Sequence, residues 1–295
     1  MRGTRHIFSF FLLACLFAHA VQGQRFQPID RSLPEGVVLL RDLPYSSVQN
    51  RSLLLDLYRP ADKKEEFLPT IVVIRGGGFR SGDKEGFGPI AAALALQGFA
   101  TVCIEYRTSK EALFPAGVWD TKAAVKWVRD HAEKYHLDQE AIGAIGGSAG
   151  GHLAMNLAVS GRVDPLNPTK SESDYLIHAA VALAPLTDFE QLTQASSLHA
   201  WLGKSWEEEQ DLWKLASPTT HIDEHAAPLM IIHSSEDKAV PYEQSISAMQ
   251  LYASNGVHAE LTLLPHAPHA FWNSINWFDE TIDAAARFFR KQFSQ

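Results

Sequence analysis

Short runs of apolar, β-branched residues alternate along this chain with longer stretches of helical period. Val37–Leu40 and Leu53–Tyr58 read as opening strands, and Thr70–Ile74, Phe99–Glu105, Ala141–Ile145, Ala179–Ala184, Leu229–His233 and Leu261–Leu264 as six more. The run Ile71-Val72-Val73-Ile74 has no polar face, which is what a strand covered on both sides in a parallel sheet requires. From Asp120 to Tyr135 the residues Ala123, Ala124, Trp127, Val128 and Ala132 recur at helical spacing, and Ala149–Val159, Tyr242–Ser254 and Phe278–Gln292 predict three further helices. The alternation predicts an α/β protein with a mainly parallel eight-stranded sheet and helices on both faces. It breaks once, after the sixth strand, between Thr187 and His225. There Trp201, Trp206, Trp213 and the acidic run Glu207-Glu208-Glu209 mark a small insertion. Two readings of it are open: a solvated helical excursion whose tryptophans pack on the body, or a partial cap lining a substrate entrance.

At the N-terminus Arg2, Arg5 and His6 precede an apolar run from Ile7 to Ala20 that closes on Ala18-His19-Ala20. This reads as a secretory signal peptide over residues 1–23, and it leaves residues 24–295 as a single domain. The run is shorter than the roughly 20 residues that cross a bilayer, so stable membrane insertion is not expected. Leu12-Leu13-Ala14-Cys15 resembles a lipoprotein box, but apolar Leu16-Phe17-Ala18 continues where such a box would end the run. With Cys15 removed only Cys103 remains, inside a strand, so no internal disulfide is expected and a buried small apolar side chain is. The 26 Lys and Arg are outnumbered by 34 Asp and Glu, a net charge of -8, which offers no basic field to a polyanion and argues against nucleic acid as partner. A secreted or periplasmic protein acting on small or neutral molecules is expected.

The strongest chemical signal is Gly146-Gly147-Ser148-Ala149-Gly150, a G-x-S-x-G between a predicted strand and a predicted helix. In that setting a sharp strained turn lifts a serine hydroxyl above the sheet edge, and glycines two positions either side remove the side chains that would collide there. His152, one helical turn on, points along the helix rather than at the hydroxyl. A nucleophilic serine needs a base and an orienting acid, which in such folds follow it on loops after late strands. The loop Ser234-Ser235-Glu236-Asp237-Lys238 offers two adjacent carboxylates, of which Asp237 is the candidate. Pro265-His266-Ala267-Pro268-His269 offers two histidines, of which His269 precedes the aromatic pair Phe271-Trp272 and His266 sits nearer the strand. After Thr70–Ile74 comes Arg75-Gly76-Gly77-Gly78-Phe79, where backbone N–H groups can approach a ligand closely. Gly77, Gly78 and Ala149 are the candidate oxyanion-hole donors, each such donor being worth roughly 3 kcal/mol to a transition state.

Arg75–Phe79 with Ser81-Gly82-Asp83-Lys84, Gly147–Ala154, Asp237-Lys238-Ala239-Val240-Pro241 and His269-Ala270-Phe271-Trp272 together resemble the bacterial acetyl-xylan and feruloyl esterase-like α/β hydrolases, the BD-FAE-like group. The resemblance extends to Leu55–Pro60, similar to the family's opening hairpin, and to Asp120, similar to an acidic residue ahead of a helix. It implies the α/β-hydrolase fold and favours His269 over His266. It also implies carboxylic ester hydrolysis without metal or organic cofactor, on acetyl or feruloyl esters of carbohydrate or on similar small esters. One departure is plain: the family's histidine before the glycine triplet is Arg75 here, and its guanidinium could bind a substrate carboxylate or form an outward structural ion pair. A small-amide hydrolase or peptidase on the same three residues, and a non-catalytic binding module on a hydrolase scaffold, are the competing readings.

Overall fold

The computed structural model describes residues 26–48, 50–169 and 171–294, so the expected signal peptide lies outside the described residues. Eight strands form one sheet: β1 (Val37–Val48), β2 (Arg51–Pro60), β3 (Leu68–Ile74), β4 (Ala100–Ile104), β5 (Leu137–Gly147), β6 (Ala179–Leu183), β7 (Leu229–Ser234) and β8 (Ala259–Leu264). Their order across the sheet is β1-β2-β4-β3-β5-β6-β7-β8. The pairs β1/β2 and β2/β4 are antiparallel and the remaining five pairings parallel, so the sheet is mainly parallel with an antiparallel ribbon at one edge.

Side chains alternate across this sheet with the period of two that a strand imposes. Val72 and Ile74 of β3, Ala144 of β5, Ala182 of β6 and Ile231 of β7 enter one core, and Ile71, Val73, Ile145, Val181 and Ile232 enter the other. The first core is covered by α2 (Ala116–Asp130), α4 (Ala149–Val159) and α7 (Glu243–Ser254), the second by α1 (Gly88–Leu96) and α8 (Ile275–Phe293). Each fully buried Val, Ile, Leu or Phe side chain contributes about 1.5–3 kcal/mol relative to exposure, which explains why both sheet faces need cover.

Several elements depart from the sequence expectations. Helix α1 was not foreseen because Ile90, Ala91, Ala92, Leu94 and Ala95 are all buried and leave no polar face to mark a period. β1 runs past Leu40 to Val48 through a register shift at Asp42, whose φ of 55° breaks the alternation. α2 begins at Ala116, so Asp120 lies inside the helix rather than ahead of it, and a separate turn of helix, α3 (Ala132–Tyr135), follows the break at His131. The insertion after β6 contains two short α-helices, α5 (Ser196–Leu202) and α6 (Gln210–Ala216), among its described residues. The chain passes from β3 outward to β4 and then returns to the other side of β3 as β5. That reversal opens a crevice at the C-terminal ends of β3 and β5, where open α/β sheets bind ligands.

Candidate active site

β5 ends on Gly147 and α4 begins at Ala149, so the chain turns within the single residue Ser148. Ser148 adopts φ 55° and ψ -119°, a conformation that costs a residue with a side chain on the order of 1–3 kcal/mol and persists only where the surroundings enforce it. They do so here through Ser148 N–H, which donates to Leu183 O at 2.8 Å, and Ser148 O, which accepts from His152 N–H at 2.9 Å. Gly150 is demanded by space: a Cβ there would stand 2.1 Å from Ile74 O, so β3 and the turn touch through backbone.

Three side chains singled out in the sequence form one hydrogen-bonded line. Ser148 Oγ lies 2.9 Å from His269 Nε2, and His269 Nδ1 lies 2.6 Å from Asp237 Oδ2. The Asp237 carboxylate is fully buried while the His269 imidazole keeps about a quarter of its surface exposed, at 24%. Asp237 Oδ1 accepts the N–H groups of Ala239 and Val240 at 2.8 and 3.0 Å. Burial by itself raises the Asp237 carboxyl, but hydrogen bonds from His233, His269 and Val240 outweigh it and hold the group well below the usual carboxylate range. The neighbouring candidates pair elsewhere: His266 Nδ1 meets Glu236 Oε1 at 2.6 Å on the exposed surface.

Two residues not singled out for the site brace it from below. Ser234 Oγ donates to Ala267 O at 2.6 Å, tying the loop of Asp237 to the loop of His269. His233, fully buried, brings Nε2 to 3.2 Å from Asp237 Oδ2. The sequence carries a signal for His233, since an imidazole that directly continues the apolar strand run Leu229-Met230-Ile231-Ile232 needs a polar partner in the core.

The glycine loop after β3 lies against the serine: the position of a Cβ on Gly76 would be 3.4 Å from Ser148 Cβ. Gly77 holds φ 114°, where a Cβ would collide with Ser81 O, and its carbonyl accepts from Arg80 and Ser81 N–H at 3.0 and 3.2 Å. Among the described residues no acceptor takes the N–H groups of Gly77, Gly78 or Ala149, which leaves these donors available to a ligand. Arg75 fits neither reading made of it from sequence. It is only 4% exposed, donates from Nη1 to Gly76 O and Ser81 O and from Nη2 to Tyr106 O, and lies 4.1 Å over the Tyr106 ring. Its partners are carbonyls, so it braces the glycine loop instead of forming a surface ion pair or presenting a charge to substrate.

The insertion reaches the same loop. Phe79, at φ 60° and fully buried, stacks on Trp201 with centroids 4.0 Å apart and meets His152 edge-on at 5.2 Å. Trp201 and Trp213 are fully buried and Trp206 is half-buried, while Glu207–Glu209 stay exposed, so the tryptophans do pack on the body. His152 is also fully buried, with Nδ1 3.0 Å from Leu186 O, and burial pushes its pKa down to about 3, which keeps the ring neutral. Asp120 pairs with Arg107 at 2.7 Å, clamping the loop after β4. Cys103 is buried, its thiol pushed up by burial and set 3.0 Å from Lys84 O, which leaves it no nucleophilic part. Among the described residues no group of three or more His, Cys, Asp or Glu is placed to hold a metal ion, and no helix is long and apolar enough to cross a membrane.

The BD-FAE family profile matches residues 55–251, a span that takes in the glycine loop, Ser148 and Asp237. Esterase LipQ of Mycobacterium tuberculosis is 30% identical over 242 residues, 78% of this chain and 56% of that protein. The probable carboxylic ester hydrolase LipM of the same organism is 31% identical over 241 residues, 77% of this chain and 55% of that protein. The chain therefore spans about half the length of the curated relatives it matches. Among solved structures, a truncated carbohydrate esterase from gut microbiota aligns with a TM-score of 0.77 at 25% identity, over 91% of this chain and 99% of that one. A thermophilic esterase from the planctomycete Thermogutta terrifontis, with propionate bound, aligns with a TM-score of 0.74 at 28% identity, over 88% and 96%. The profile match and the likeness of the whole sheet lead to one assignment: this chain is a member of the BD-FAE family with the α/β-hydrolase fold.

Proposed function

We propose that this chain is an exported serine hydrolase of carboxylic esters, acting on acetyl or feruloyl esters of carbohydrate or on comparable small esters. The observation that carries this reading is the line Ser148 Oγ, His269, Asp237 at the C-terminal edge of the sheet, with the N–H groups of Gly77, Gly78 and Ala149 meeting no acceptor among the described residues. His269, with its Nδ1–H held by Asp237, accepts the Ser148 proton at Nε2 as the hydroxyl attacks the ester carbonyl. Gly77, Gly78 and Ala149 donate to the oxyanion that forms, and donors set in place beforehand need no reorganisation as the charge develops. His269 then protonates the departing alcohol, and water repeats the sequence to free the acid and restore Ser148. The esterases among the relatives and the carbohydrate esterase among the structural neighbours support the substrate class. Export rests on the pattern of Arg2, Arg5 and the apolar run ending near Ala20, with residues 24–295 as one catalytic domain.

The test is hydrolysis of a p-nitrophenyl acetate-to-decanoate series beside acetylated xylan and methyl ferulate, by wild type and Ser148→Ala. Activity confined to wild type is expected, and the preferred ester names the acyl group. Equal activity of the two proteins, or none from either, would sink the reading.

A further inference from the structure

The hydrogen-bonded line does not stop at Asp237. On β7, two strands away from Ser148, the imidazole of His233 is fully buried, as is the Asp237 carboxylate it faces. Its Nε2 lies 3.2 Å from Asp237 Oδ2 and 3.1 Å from Val240 O, two groups that can only accept. Nε2 therefore carries the proton and donates between them. Its Nδ1 lies 2.7 Å from Ser245 Oγ on α7, a hydroxyl that can donate to a ring nitrogen or accept from it. The ring is thus held from both sides. Oδ2 of Asp237 receives His269 and His233 together, whereas Oδ1 receives the backbone N–H groups of Ala239 and Val240. Glu236 is paired outward with His266, and α7 sets the uncharged Ser245 against the ring.

We infer that His233 is a positioning residue for ester hydrolysis, sharing Asp237 Oδ2 with His269 so that the carboxylate is aimed at, and its charge divided before, the imidazole that takes the serine proton. This rests on the functional reading above and extends it into the core, so that the working unit runs Ser148, His269, Asp237, His233, Ser245. His233 touches no substrate. Its loss would free the carboxylate to swing by the fractions of an ångström that matter to a reaction geometry, and would leave the whole carboxylate charge to His269.

The experiment compares His233→Met, which removes the donor, with His233→Gln, whose amide N–H₂ can stand where Nε2–H stood. Substrate is the p-nitrophenyl ester that wild type prefers, and chemical denaturation of each variant separates folding from rate. His233→Met is expected to lower kcat on the order of tenfold to a hundredfold with KM little changed, and to move the acid limb of the kcat/KM profile to higher pH. His233→Gln is expected to recover most of the rate and the wild-type profile. A folded His233→Met with wild-type kcat and pH profile overturns the inference, and so does a His233→Gln variant as impaired as His233→Met. ¹⁵N spectra of histidine-labelled wild type test it without any substitution, because a His233 ring protonated at Nδ1 instead of Nε2 overturns it as well. Ser148→Ala run alongside keeps the two ideas apart: if that variant is fully active, the esterase reading has failed rather than the role of His233.

Discussion

Two adjacent carboxylates, Glu236 and Asp237, and two histidines three residues apart, His266 and His269, were candidates in the sequence, and their surroundings separate them. Asp237 is buried under two backbone N–H groups and two imidazoles, while Glu236 and His266 meet each other at the surface. Asp237→Asn should therefore lower kcat by on the order of 10⁴ through loss of the correct His269 tautomer. His266→Ala should leave kcat/KM within about twofold, since an exposed ion pair contributes about 0–1 kcal/mol and touches no reacting atom. Steady-state kinetics on one p-nitrophenyl ester checks both, and a large loss in His266→Ala would reassign the base. At Arg75 the same logic concerns a scaffold. Arg75→Lys keeps the charge but loses the fork that holds Gly76, Ser81 and Tyr106 carbonyls, each hydrogen bond from a charged group being worth about 1.5–3 kcal/mol. The variant should lose stability in urea and kcat together, with the ratio of rates on anionic and neutral esters unchanged. A changed ratio would return Arg75 to substrate binding.

Among the elements, the insertion after β6 has the most to explain, because its helices are too short to stand without packing. They are pinned by Trp201 on Phe79, the residue next to the candidate donor Gly78, and by Trp213 near Phe189. Trp201→Ala should cost about 3–5 kcal/mol of stability, as deletions of large buried aromatics do, and should depress kcat more than it raises KM if the candidate oxyanion donors Gly77 and Gly78 on the loop it clamps act as proposed. Trp206→Ala, cut from a half-buried ring at the outer edge of the cluster, should cost less in both measures. Denaturation midpoints and kinetics on the same preparations test the contrast. Equal effects would mean that the insertion does not act through Phe79. The tryptophans were conspicuous in the sequence, but which loop they would reach was not, since a contact between Phe79 and Trp201 spans more than a hundred residues of chain.

For the molecule as a whole, buried groups that cannot hold a proton set the response to acid. His152 is held neutral by burial with its pKa pushed down to about 3, against about 6.5 for a free histidine. As pH falls through that interval the unfolded chain binds a proton that the folded one refuses, so stability is fully present above about pH 6.5 and is lost on the way down, at up to about 1.4 kcal/mol per pH unit. His178 and His221, also lowered by burial, act with the same sign. Asp237 acts lower still: its carboxyl is depressed, so its contribution is present above the unfolded carboxyl value of about 3.9 and disappears as pH falls below it. Between about pH 6 and 5 the histidines should set most of the slope, because the lowered carboxyls of Glu85, Glu208 and Glu260 enter only as unfolded glutamates begin to titrate nearer 4.5. His152→Phe should then flatten the dependence of unfolding free energy on pH in that window by about one proton, while Asp237→Asn should leave it unchanged there. Denaturation curves from pH 4.5 to 8 measure both slopes, and an unaltered slope in His152→Phe would show that this ring titrates in the folded protein.

What the sequence determined by itself is local or periodic. Apolar runs such as Ile71–Ile74 predict buried strands because a side chain's face follows from its position along the strand, and the glycines around Ser148 predict a strained turn because only they leave room for it. Those two regularities marked Ser148 and the glycine loop, the order of loops after late strands brought in Asp237 and the two histidines, and the family resemblance favoured His269 over His266. Period carries no information where every face is covered, which is why α1 was silent, nor where a bulge resets the register, as at Asp42 in β1. Choices that depend on which distant segment arrives were left to the tertiary structure. It turned Arg75 inward onto carbonyls, set Glu236 and His266 aside at the surface, seated Trp201 on the loop beside Gly78, and placed His233 beneath Asp237. Each of these is a matter of burial and of partners far apart in the chain, and neither quantity is written in the order of residues.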